Sequence, residues 1–173
     1  MKGFPERFHV PVLVLGTGIA GLTTAWSLAR RGVKVLILTK AKAPEDCNTA
    51  YAQGGIIYFG KKDSARSLVR DILDAGAGLG SPEAVKHLAT QGPEIVKQIL
   101  LEEIGVPFSR TTGGDLDFTR EGAHSVARIV HAADATGRAI ETAMLAKIVK
   151  EKNITIWPEA TALTMRPPNS GRI

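Results

Sequence analysis

The sequence predicts an α/β protein with a parallel sheet, and three neighbouring segments support this prediction. Val10–Leu15 and Val33–Leu38 are short apolar runs rich in valine and leucine, which is typical of strands buried on both faces. Leu22–Arg31 lies between them with apolar residues at helical spacing, and Gly32 follows as a helix-ending residue. Residues 9–40 therefore predict a strand–helix–strand unit of about 30 residues.

The rest of the chain continues this alternation of strands and helices. Ser or Asp stands where two of the predicted helices begin, and glycine follows where helices end. The remaining predicted elements are a strand at Ile56–Phe59, a helix at Asp63–Ala75 capped by Asp63 or Ser64, a helix from Ser81 to Ile104 interrupted at Gly92-Pro93 and stopped by Gly105, a hairpin or loop over 107–122, a long helix at Asp134–Glu151, strands at Ile154–Trp157 and Ala162–Met165, and a turn at Pro167–Gly171.

The composition argues against several classes of function. The chain has 173 residues, of which 44% are hydrophobic and 23% charged, as expected of a globular domain. No apolar run is long enough to span a bilayer and no signal segment is visible, so we expect a cytoplasmic protein without a membrane partner. The net charge of +5 is spread among acidic residues, which argues against a nucleic-acid partner. One cysteine and four scattered histidines show no metal-ligand spacing, so no metal site is expected.

A glycine-rich loop joins the first predicted strand to the first helix. Gly16-Thr17-Gly18-Ile19-Ala20-Gly21 has the spacing G-x-G-x-x-G. In such a loop the first glycine permits a tight turn, the second lets the backbone approach a pyrophosphate, and the third allows close packing of helix and strand. The N-terminus of the helix then offers N–H groups and a partial positive charge to the phosphates. Because the loop lies inside a strand–helix–strand unit, it predicts a Rossmann-like fold that binds a dinucleotide.

The end of the second predicted strand does not decide which dinucleotide binds. A Rossmann unit usually has Asp or Glu there to bind the ribose. This chain has Thr39-Lys40 instead, and no carboxylate before Glu45. Three interpretations of Lys40 stay open: it binds the 2′-phosphate of NADP, it contacts FAD, or it is a solvated surface charge.

A second loop is unusual because its small residues and glycine pair follow neither a helical nor a strand period. It reads Asn48-Thr49-Ala50-Tyr51-Ala52-Gln53-Gly54-Gly55. Together with the glycine-rich loop and Thr39-Lys40, it resembles the FAD-binding region of flavoproteins related to succinate dehydrogenase and fumarate reductase. The resemblance implies that both loops and Lys40 contact FAD. The glycine pair would let backbone N–H groups approach the cofactor, and Gln53 would bind the polar edge of the flavin.

Two later segments resemble one branch of that family, the L-aspartate oxidases. They are 118–125, Phe-Thr-Arg-Glu-Gly-Ala-His-Ser, and 131–137, His-Ala-Ala-Asp-Ala-Thr-Gly. The resemblance implies FAD-dependent oxidation of L-aspartate to iminoaspartate on the way to quinolinate and NAD. The implied partners are L-aspartate, oxygen or fumarate as electron acceptor, and quinolinate synthase as the enzyme that takes the product.

The resemblance also implies roles for particular residues. Glu121 matches the glutamate that orients the amino group of the substrate, which distinguishes an amino acid from succinate. Asn48 stands where succinate dehydrogenases and fumarate reductases have the histidine that attaches FAD covalently, so non-covalent FAD is expected. Thr161 and Ala162 match positions where the backbone of the family meets the adenine end of FAD.

The resemblance covers nearly the whole chain. Residues 1–173 are therefore expected to be the N-terminal portion of the FAD-binding domain, with the capping domain, the C-terminal helical domain and the catalytic arginine outside it. The chain alone is expected to be inactive. Two alternatives stay open: a flavoprotein of the fumarate reductase or succinate dehydrogenase type, and a non-catalytic FAD-binding module. For His124 and His131, a functional role and a structural hydrogen bond both stay open.

Overall fold

The structure, a computed structural model, describes residues 7–165. The chain divides into two compact units, which we call the sheet unit (Met1–Cys47 with Leu145–Ile173) and the loop unit (Asn48–Met144). The predicted turn at Pro167–Gly171 lies outside the described residues. The elements in chain order are β1 (Val12–Leu15), α1 (Ile19–Ala29), β2 (Val35–Leu38), a short 3₁₀ turn (Asn48–Tyr51), β3 (Ile56–Ile57), α2 (Ala65–Ala75), α3 (Pro82–Ile95), a π-helical segment (Val96–Ile104), β4 (Phe118–Thr119), β5 (Ile129–Val130), α4 (Thr136–Ile148) and β6 (Ile154–Trp157).

The sheet unit is built on a parallel sheet in which β2 lies between β1 and β6. The register pairs Val35 with Val12 on one side and with Ile154 on the other. Val35, Leu36 and Ile37 are 2%, 4% and 0% exposed, as a continuous apolar run predicts for a strand in the middle of a parallel sheet. The predicted parallel α/β arrangement is therefore confirmed.

Helix α1 connects β1 to β2 and packs against the sheet. Leu22, Ala25 and Ala29 are buried and recur at helical spacing, so one side of the helix faces the strands. Gly32 follows the helix with φ of +80°, a left-handed conformation that glycine adopts without strain. The helix predicted from this apolar spacing is confirmed, although it ends slightly before Arg31.

The strand predicted at Ala162–Met165 is wrong. Leu163 and Met165 alternate with smaller residues, a pattern that is typical of strands. Their side chains are 90% and 77% exposed, and among the described residues no strand pairs with this segment. Alternation produces a strand only where a neighbouring strand supplies hydrogen bonds, and no strand within residues 7–165 does so for this segment.

The loop unit contains α2 and α3, which pack against each other. Ser64 caps α2 by accepting a hydrogen bond from the Ser67 N–H at 3.2 Å. Ser81 caps α3 in the same way through the Ala84 N–H at 3.4 Å. The sequence predicted Ser81 as a cap and left Asp63 and Ser64 as alternatives for α2, and the structure selects Ser64.

The interruption predicted at Gly92-Pro93 is also wrong. Helix α3 continues through Pro93 to Ile95 and then changes into the wider π-helical segment. Proline has no N–H to donate, and the chain accommodates this by changing its hydrogen-bond register directly afterwards. The Val96 N–H is directed to the carbonyls of both Gly92 and Pro93 at this point.

A second sheet in the loop unit is antiparallel, with β5 between β3 and β4. Ile129 and Val130 of β5 are 3% and 0% exposed, so this short strand lies in the core of the unit. The predicted strand Ile56–Phe59 is shorter in the structure, because only Ile56–Ile57 pairs with β5. The 107–122 segment, predicted as a hairpin or loop, contains β4 and is otherwise mostly irregular.

Helix α4 is shorter than the Asp134–Glu151 helix that the sequence predicts. It begins at Thr136, whose Oγ1 accepts a hydrogen bond from the Ala132 N–H at 2.9 Å, and it ends at Ile148. Within residues 7–165, no helix combines the length and the apolar character needed to cross a membrane.

Candidate functional site

The glycine-rich loop of the sheet unit has the backbone that its sequence predicts. Gly16 has φ of +102°, and its N–H donates to the Leu38 carbonyl at 2.8 Å, so the turn is fixed to the end of β2. A Cβ placed on Gly21 would overlap the carbonyl of Gly16. Gly16 therefore adopts the left-handed conformation of the tight turn, and Gly21 allows α1 to pack closely against the loop, as the motif requires.

The start of α1 suits a bound anion. Gly18 is the N-cap residue, no side chain caps the helix, and no acidic residue lies in its first turn of Ile19, Ala20 and Gly21. By contrast, α2 and α3 are capped by serine side chains. A helix N-terminus carries a partial positive charge, so this one is electrostatically suited to the phosphates of a dinucleotide.

The end of β2 lies beside the same loop. The Thr17 hydroxyl donates to the Thr39 hydroxyl at 3.5 Å, and the two residues are 1% and 5% exposed. Thr39 Oγ1 also accepts a long hydrogen bond of 3.4 Å from the Ala41 N–H. Lys40, which lies between Thr39 and Ala41 in the chain, is exposed. The threonine pair thus joins the loop to β2, and the Lys40 side chain is accessible to a ligand.

The predicted FAD loop of the loop unit is held by a residue whose role the sequence did not reveal. Thr49 and its neighbours form a single 3₁₀ turn, closed by a hydrogen bond from the Ala52 N–H to the Thr49 carbonyl at 3.1 Å. The Gly137 N–H donates to the Ala52 carbonyl at 3.0 Å. A Cβ on Gly137 would overlap the Thr49 carbonyl. Gly137 lies inside the predicted helix Asp134–Glu151, and the structure shows that it also anchors this loop.

Most of the residues predicted to meet the cofactor in this loop are exposed. Asn48 and Tyr51 are exposed, with Tyr51 at 67%, and Thr49 and Ala50 are half-buried. The loop then continues through a run that is exposed throughout, Ala52, Gln53, Gly54 and Gly55.

The two glycines of the pair have different surroundings. A Cβ on Gly55 would overlap the side chain of Ile129, so this glycine allows the loop to lie directly on β5. A Cβ on Gly54 would lie 3.3 Å from Oε1 of Glu121. The structure therefore brings the predicted substrate-binding carboxylate and the predicted FAD loop together within the loop unit.

Glu121 occupies the first position of a tight turn. The His124 N–H donates to the Glu121 carbonyl at 3.2 Å, and Ala123 has φ of +65°. A left-handed conformation is uncommon for a residue other than glycine and has to be maintained by its surroundings. The Glu121 side chain is exposed. Its carboxylate is therefore available to a ligand at a position that the turn determines.

A buried polar cluster beside this turn was not predicted. We call it the Arg128 cluster. The Arg128 guanidinium pairs with Asp63 and with Asp71, each at a shortest distance of 2.7 Å. Ser67, His124 and Ser125 complete the Arg128 cluster.

The sequence contained one signal for this cluster. Asp71 follows Leu68 by one helical step and so lies on the side of the predicted helix that faces the core. An acidic residue there predicts a buried partner.

Burial alone would raise the pKa of Asp71. The hydrogen bonds from the N–H and hydroxyl of Ser125 and from Arg128 outweigh this effect, and the pKa lies below its usual value. Asp71 is therefore ionised at neutral pH, and the guanidinium of Arg128 has a charged partner.

Three further predicted residues have fewer described contacts. His131 lies 3.6 Å from Asp117 through Nε2 and is 20% exposed, and its carbonyl accepts a hydrogen bond from the Ser109 N–H at 2.7 Å. Thr161 and Ala162 are exposed in the irregular segment after β6. Among the described residues, no cluster of His, Cys, Asp and Glu has the composition to hold a metal ion.

Comparison with protein families and curated proteins agrees with these features. The family described as FAD binding domain matches residues 11–169. The chain is 44% identical over 154 residues to the L-aspartate oxidase of Halobacterium salinarum, which is 89% of this chain and 30% of that protein. It is 39% identical over 159 residues to the chloroplastic L-aspartate oxidase of Arabidopsis thaliana, covering 91% of this chain and 24% of that one.

Solved structures with a similar fold are flavoproteins of the expected type. The Sdh1 complex of Mycobacterium smegmatis with UQ1 has a TM-score of 0.81 at 28% identity, covering 90% of this chain and 28% of that one. The E. coli quinol fumarate reductase FrdA has a TM-score of 0.81 at 26% identity, covering 88% of this chain and 26% of that one. These matches confirm the predicted fold class.

The chain spans 30% of the length of the Halobacterium relative and 24% of the Arabidopsis relative. The family match over residues 11–169 spans both glycine loops and the turn that carries Glu121. The chain belongs to the FAD-binding domain family of oxidoreductase flavoproteins, and within it resembles the L-aspartate oxidases.

Proposed function

We propose that the complete protein oxidises L-aspartate to iminoaspartate and uses non-covalently bound FAD. The observation that carries this proposal is the exposed carboxylate of Glu121, which lies against Gly54 of the glycine-pair loop. The similarity to L-aspartate oxidases at 37–44% identity supports the choice of substrate.

The residues present fit a dinucleotide cofactor. In the sheet unit, Gly16 and Gly21 form a tight turn without side-chain obstruction before an uncapped helix N-terminus. Gly18, Thr17, Ile19, Ala20 and Lys40 would complete the phosphate-binding side. In the loop unit, the exposed run from Ala52 to Gly55 offers main-chain groups and the Gln53 amide. Thr161 and Ala162 are proposed to meet the adenine end.

Bound FAD would supply the acceptor for the hydride that leaves Cα of the amino acid. The residues of this chain contribute orientation. The Glu121 carboxylate accepts hydrogen bonds from the substrate ammonium, which brings the Cα–H bond into a fixed direction. When the Cα–H bond breaks and the ammonium group releases one proton to solvent, the C=N bond of the protonated imine forms.

The same carboxylate explains a preference for an amino acid over succinate. Succinate has no ammonium group, so Glu121 would face it without a hydrogen-bond donor and with a like charge nearby. Leaving a charged group unsatisfied costs more than the hydrogen bond itself is worth. Aspartate is therefore favoured over succinate.

The first experiment tests the cofactor. The complete protein is incubated with FAD and desalted, and its visible absorption spectrum is recorded before and after acid denaturation. We expect flavin bands in the native protein and a colourless precipitate after acid, because the Asn48 amide cannot form the covalent bond that a histidine forms. Flavin that stays with the precipitate would contradict non-covalent binding, and a native protein without bands would contradict FAD binding.

The second experiment tests the substrate role of Glu121. Glu121→Gln is expected to lower kcat/KM for aspartate oxidation by about tenfold or more, since the charge-assisted bond to the ammonium is lost. Fumarate reduction should fall less. Glu83→Gln is the matched control, because Glu83 is an exposed carboxylate of the same unit in the first turn of α3. Equal losses for aspartate and fumarate would refute the assigned role.

The electron acceptor and the consumer of the product belong to the same proposal. We expect oxygen or fumarate to accept the electrons, so that fumarate sustains aspartate oxidation under anaerobic conditions. Iminoaspartate is expected to pass to quinolinate synthase. A coupled assay that forms quinolinate from aspartate only when both enzymes are present would support this partnership, and a lack of coupling would refute it.

A second candidate function is that of a fumarate reductase or succinate dehydrogenase. The TM-scores of 0.81 favour it as an alternative, since both solved neighbours are of this type. The two candidates differ in substrate. Succinate oxidation that exceeds aspartate oxidation, and that Glu121→Gln leaves unchanged, would favour the alternative.

A further inference from the structure

The guanidinium of Arg128 is fully buried and uses all its hydrogen-bond donors. Its Nε and Nη2 donate to the two carboxylate oxygens of Asp63 at 2.7 and 2.9 Å, and Nη2 also donates to Ser67 at 3.0 Å. Its Nη1 donates to Asp71 at 2.7 Å and lies 3.3 Å from Nδ1 of His124. An arginine has five N–H donors in a fixed planar fork, and each has one partner here.

Stability alone is a weak explanation for such a cluster. Removing charges from water is costly, and apolar side chains of similar volume often stabilise a protein equally well. The cluster instead determines geometry, because a planar fork accepts its partners only in particular directions. The partners Asp63, Ser67 and Asp71 lie on or next to α2, while His124 and Ser125 lie in the turn that follows Glu121.

The cluster is joined directly to this turn. The N–H and the hydroxyl of Ser125 both donate to Oδ2 of Asp71 at 2.8 Å. Oδ2 is also the atom that accepts from Arg128. The turn itself is strained at Ala123, whose φ is +65°. A strained turn keeps its shape only where neighbouring contacts hold both of its ends. Asp71 holds the end at Ser125.

We propose that Arg128 and Asp71 are positioning residues, which hold the 121–125 turn and thereby place the Glu121 carboxylate against Gly54. This inference rests on the proposed function, because it assumes that Glu121 binds the ammonium of the substrate. Arg128, which is 0% exposed, acts through Asp71, Ser125 and the turn.

The same contacts fix the proton of His124. Arginine has no acceptor, so a hydrogen bond between Nη1 of Arg128 and Nδ1 of His124 requires Nδ1 to be the acceptor. In that arrangement a neutral ring carries its proton on Nε2. This tautomer is a spectroscopic signature of the positioned turn, and it can be observed without turnover.

The test uses two variants of the complete protein and one control. Arg128→Lys keeps the positive charge but removes the planar fork. Ser125→Ala removes one hydroxyl from Asp71 and leaves the Ser125 N–H in place. Leu68→Ala is the control, since Leu68 lies on α2 at 1% exposure and its loss weakens packing without removing a polar contact of the cluster.

Two measurements are made on each protein. The first is the ratio of kcat/KM for aspartate oxidation to the rate of fumarate reduction. A displacement of about 1 Å at a binding group can cost up to about a hundredfold. We therefore expect the ratio to fall about tenfold or more in Arg128→Lys and several-fold in Ser125→Ala. It should stay unchanged in Leu68→Ala, because a general loss of stability lowers both activities together.

The second measurement is the proton–nitrogen correlation spectrum of the His124 ring at neutral pH. We expect the Nε2–H tautomer in the wild-type protein and in Leu68→Ala, and a mixture of tautomers in Arg128→Lys. If Arg128→Lys fails to fold, Ser125→Ala alone provides the test through the activity ratio.

A failure of the positioning role can be distinguished from a failure of the proposed function. An unchanged activity ratio in Arg128→Lys and Ser125→Ala, with His124 in one tautomer throughout, would overturn the positioning role while leaving aspartate oxidation intact. A wild-type protein that does not oxidise aspartate would overturn the proposed function, and with it the assumption on which the positioning role rests. The His124 tautomer would then still show whether Arg128 holds the turn.

Discussion

The sheet unit and the loop unit are stabilised in different ways. The sheet unit depends on apolar side chains between α1 and a parallel sheet, with Leu22 and Ile37 both at 0% exposure. The loop unit has an apolar core too, but it also buries Arg128 at 0% exposure with Asp63 and Asp71. The first arrangement tolerates substitution by other apolar residues of similar volume. The second requires each partner, because a charge left alone in the core is costly.

The contrast also concerns distance along the chain. Gly16 and Gly21 belong to one continuous motif, whereas Arg128 is 57 positions from Asp71 and 65 from Asp63. A local motif is visible in the sequence, and a cluster from distant segments is not. The following predictions test this contrast between local apolar packing and a distant polar cluster.

The largest effect is expected from removal of the buried guanidinium. Arg128→Leu leaves two buried carboxylates without their cation and should lower the free energy of unfolding by about 3–5 kcal/mol. Urea unfolding measures the loss. Lys61→Ala is the control, because the Lys61–Asp115 pair at 2.9 Å is exposed on both sides and should contribute nothing measurable. Similar losses in both variants would mean that burial does not increase the contribution of the Arg128 cluster to the free energy of unfolding.

Gly21→Ala should have the next largest effect and is confined to the sheet unit. The added Cβ would overlap the main-chain carbonyl of Gly16, which cannot move without opening the glycine loop. We expect a loss of about 1–3 kcal/mol and a protein that no longer retains FAD after desalting. Unfolding in urea and the visible spectrum measure the two effects. Retention of flavin at wild-type level would refute the close packing of α1 on β1.

The pH dependence of stability tests one carboxylate of the cluster. The pKa of Asp71 is lower in the folded protein than its value of about 3.9 in an unfolded chain. Ionised Asp71 therefore stabilises the fold above about pH 4, and this contribution is lost as the pH falls through the folded pKa. Asp71→Asn should be less stable than wild type at neutral pH, and the difference should shrink below about pH 4. If the free energies of unfolding in urea of the wild type and Asp71→Asn differ by the same amount across this pH range, the lowered pKa is contradicted.

The smallest effect is expected from Gly92→Ala, and its sign is opposite to that of Gly21→Ala. Gly92 lies inside α3, and a Cβ there would meet only the Leu88 side chain at an ordinary 3.6 Å. Alanine lowers the entropy of the unfolded chain and favours a helix, so a gain of about 0.5–1 kcal/mol is expected. Thermal unfolding measures this gain. A loss would show that the change of helix register after Pro93 needs glycine.

Much of the fold and part of the candidate site could be predicted because their signals are local. Strands β1 and β2, helix α1 and the Ser81 cap all follow from apolar spacing or from a capping residue next to the helix it caps. One error arose where a remote partner decided the outcome, and the other where the helix accommodated a proline by a local change of hydrogen bonding. Ala162–Met165 alternates like a strand, but within residues 7–165 no strand pairs with it. The interruption predicted at Gly92-Pro93 is instead a change of helix register.

The sequence by itself determined the parallel strand–helix–strand unit, the glycine loop with its helix N-terminus, and the resemblance from which the role of Glu121 is proposed. These features depend on neighbouring residues, whose conformations and spacing are readable directly. Only the tertiary structure decided that Gly137 anchors the loop at Thr49 and Ala52, and that Arg128 joins Asp71 to the turn of Glu121. Both depend on contacts between segments far apart in the chain, and such contacts form only when the chain has folded.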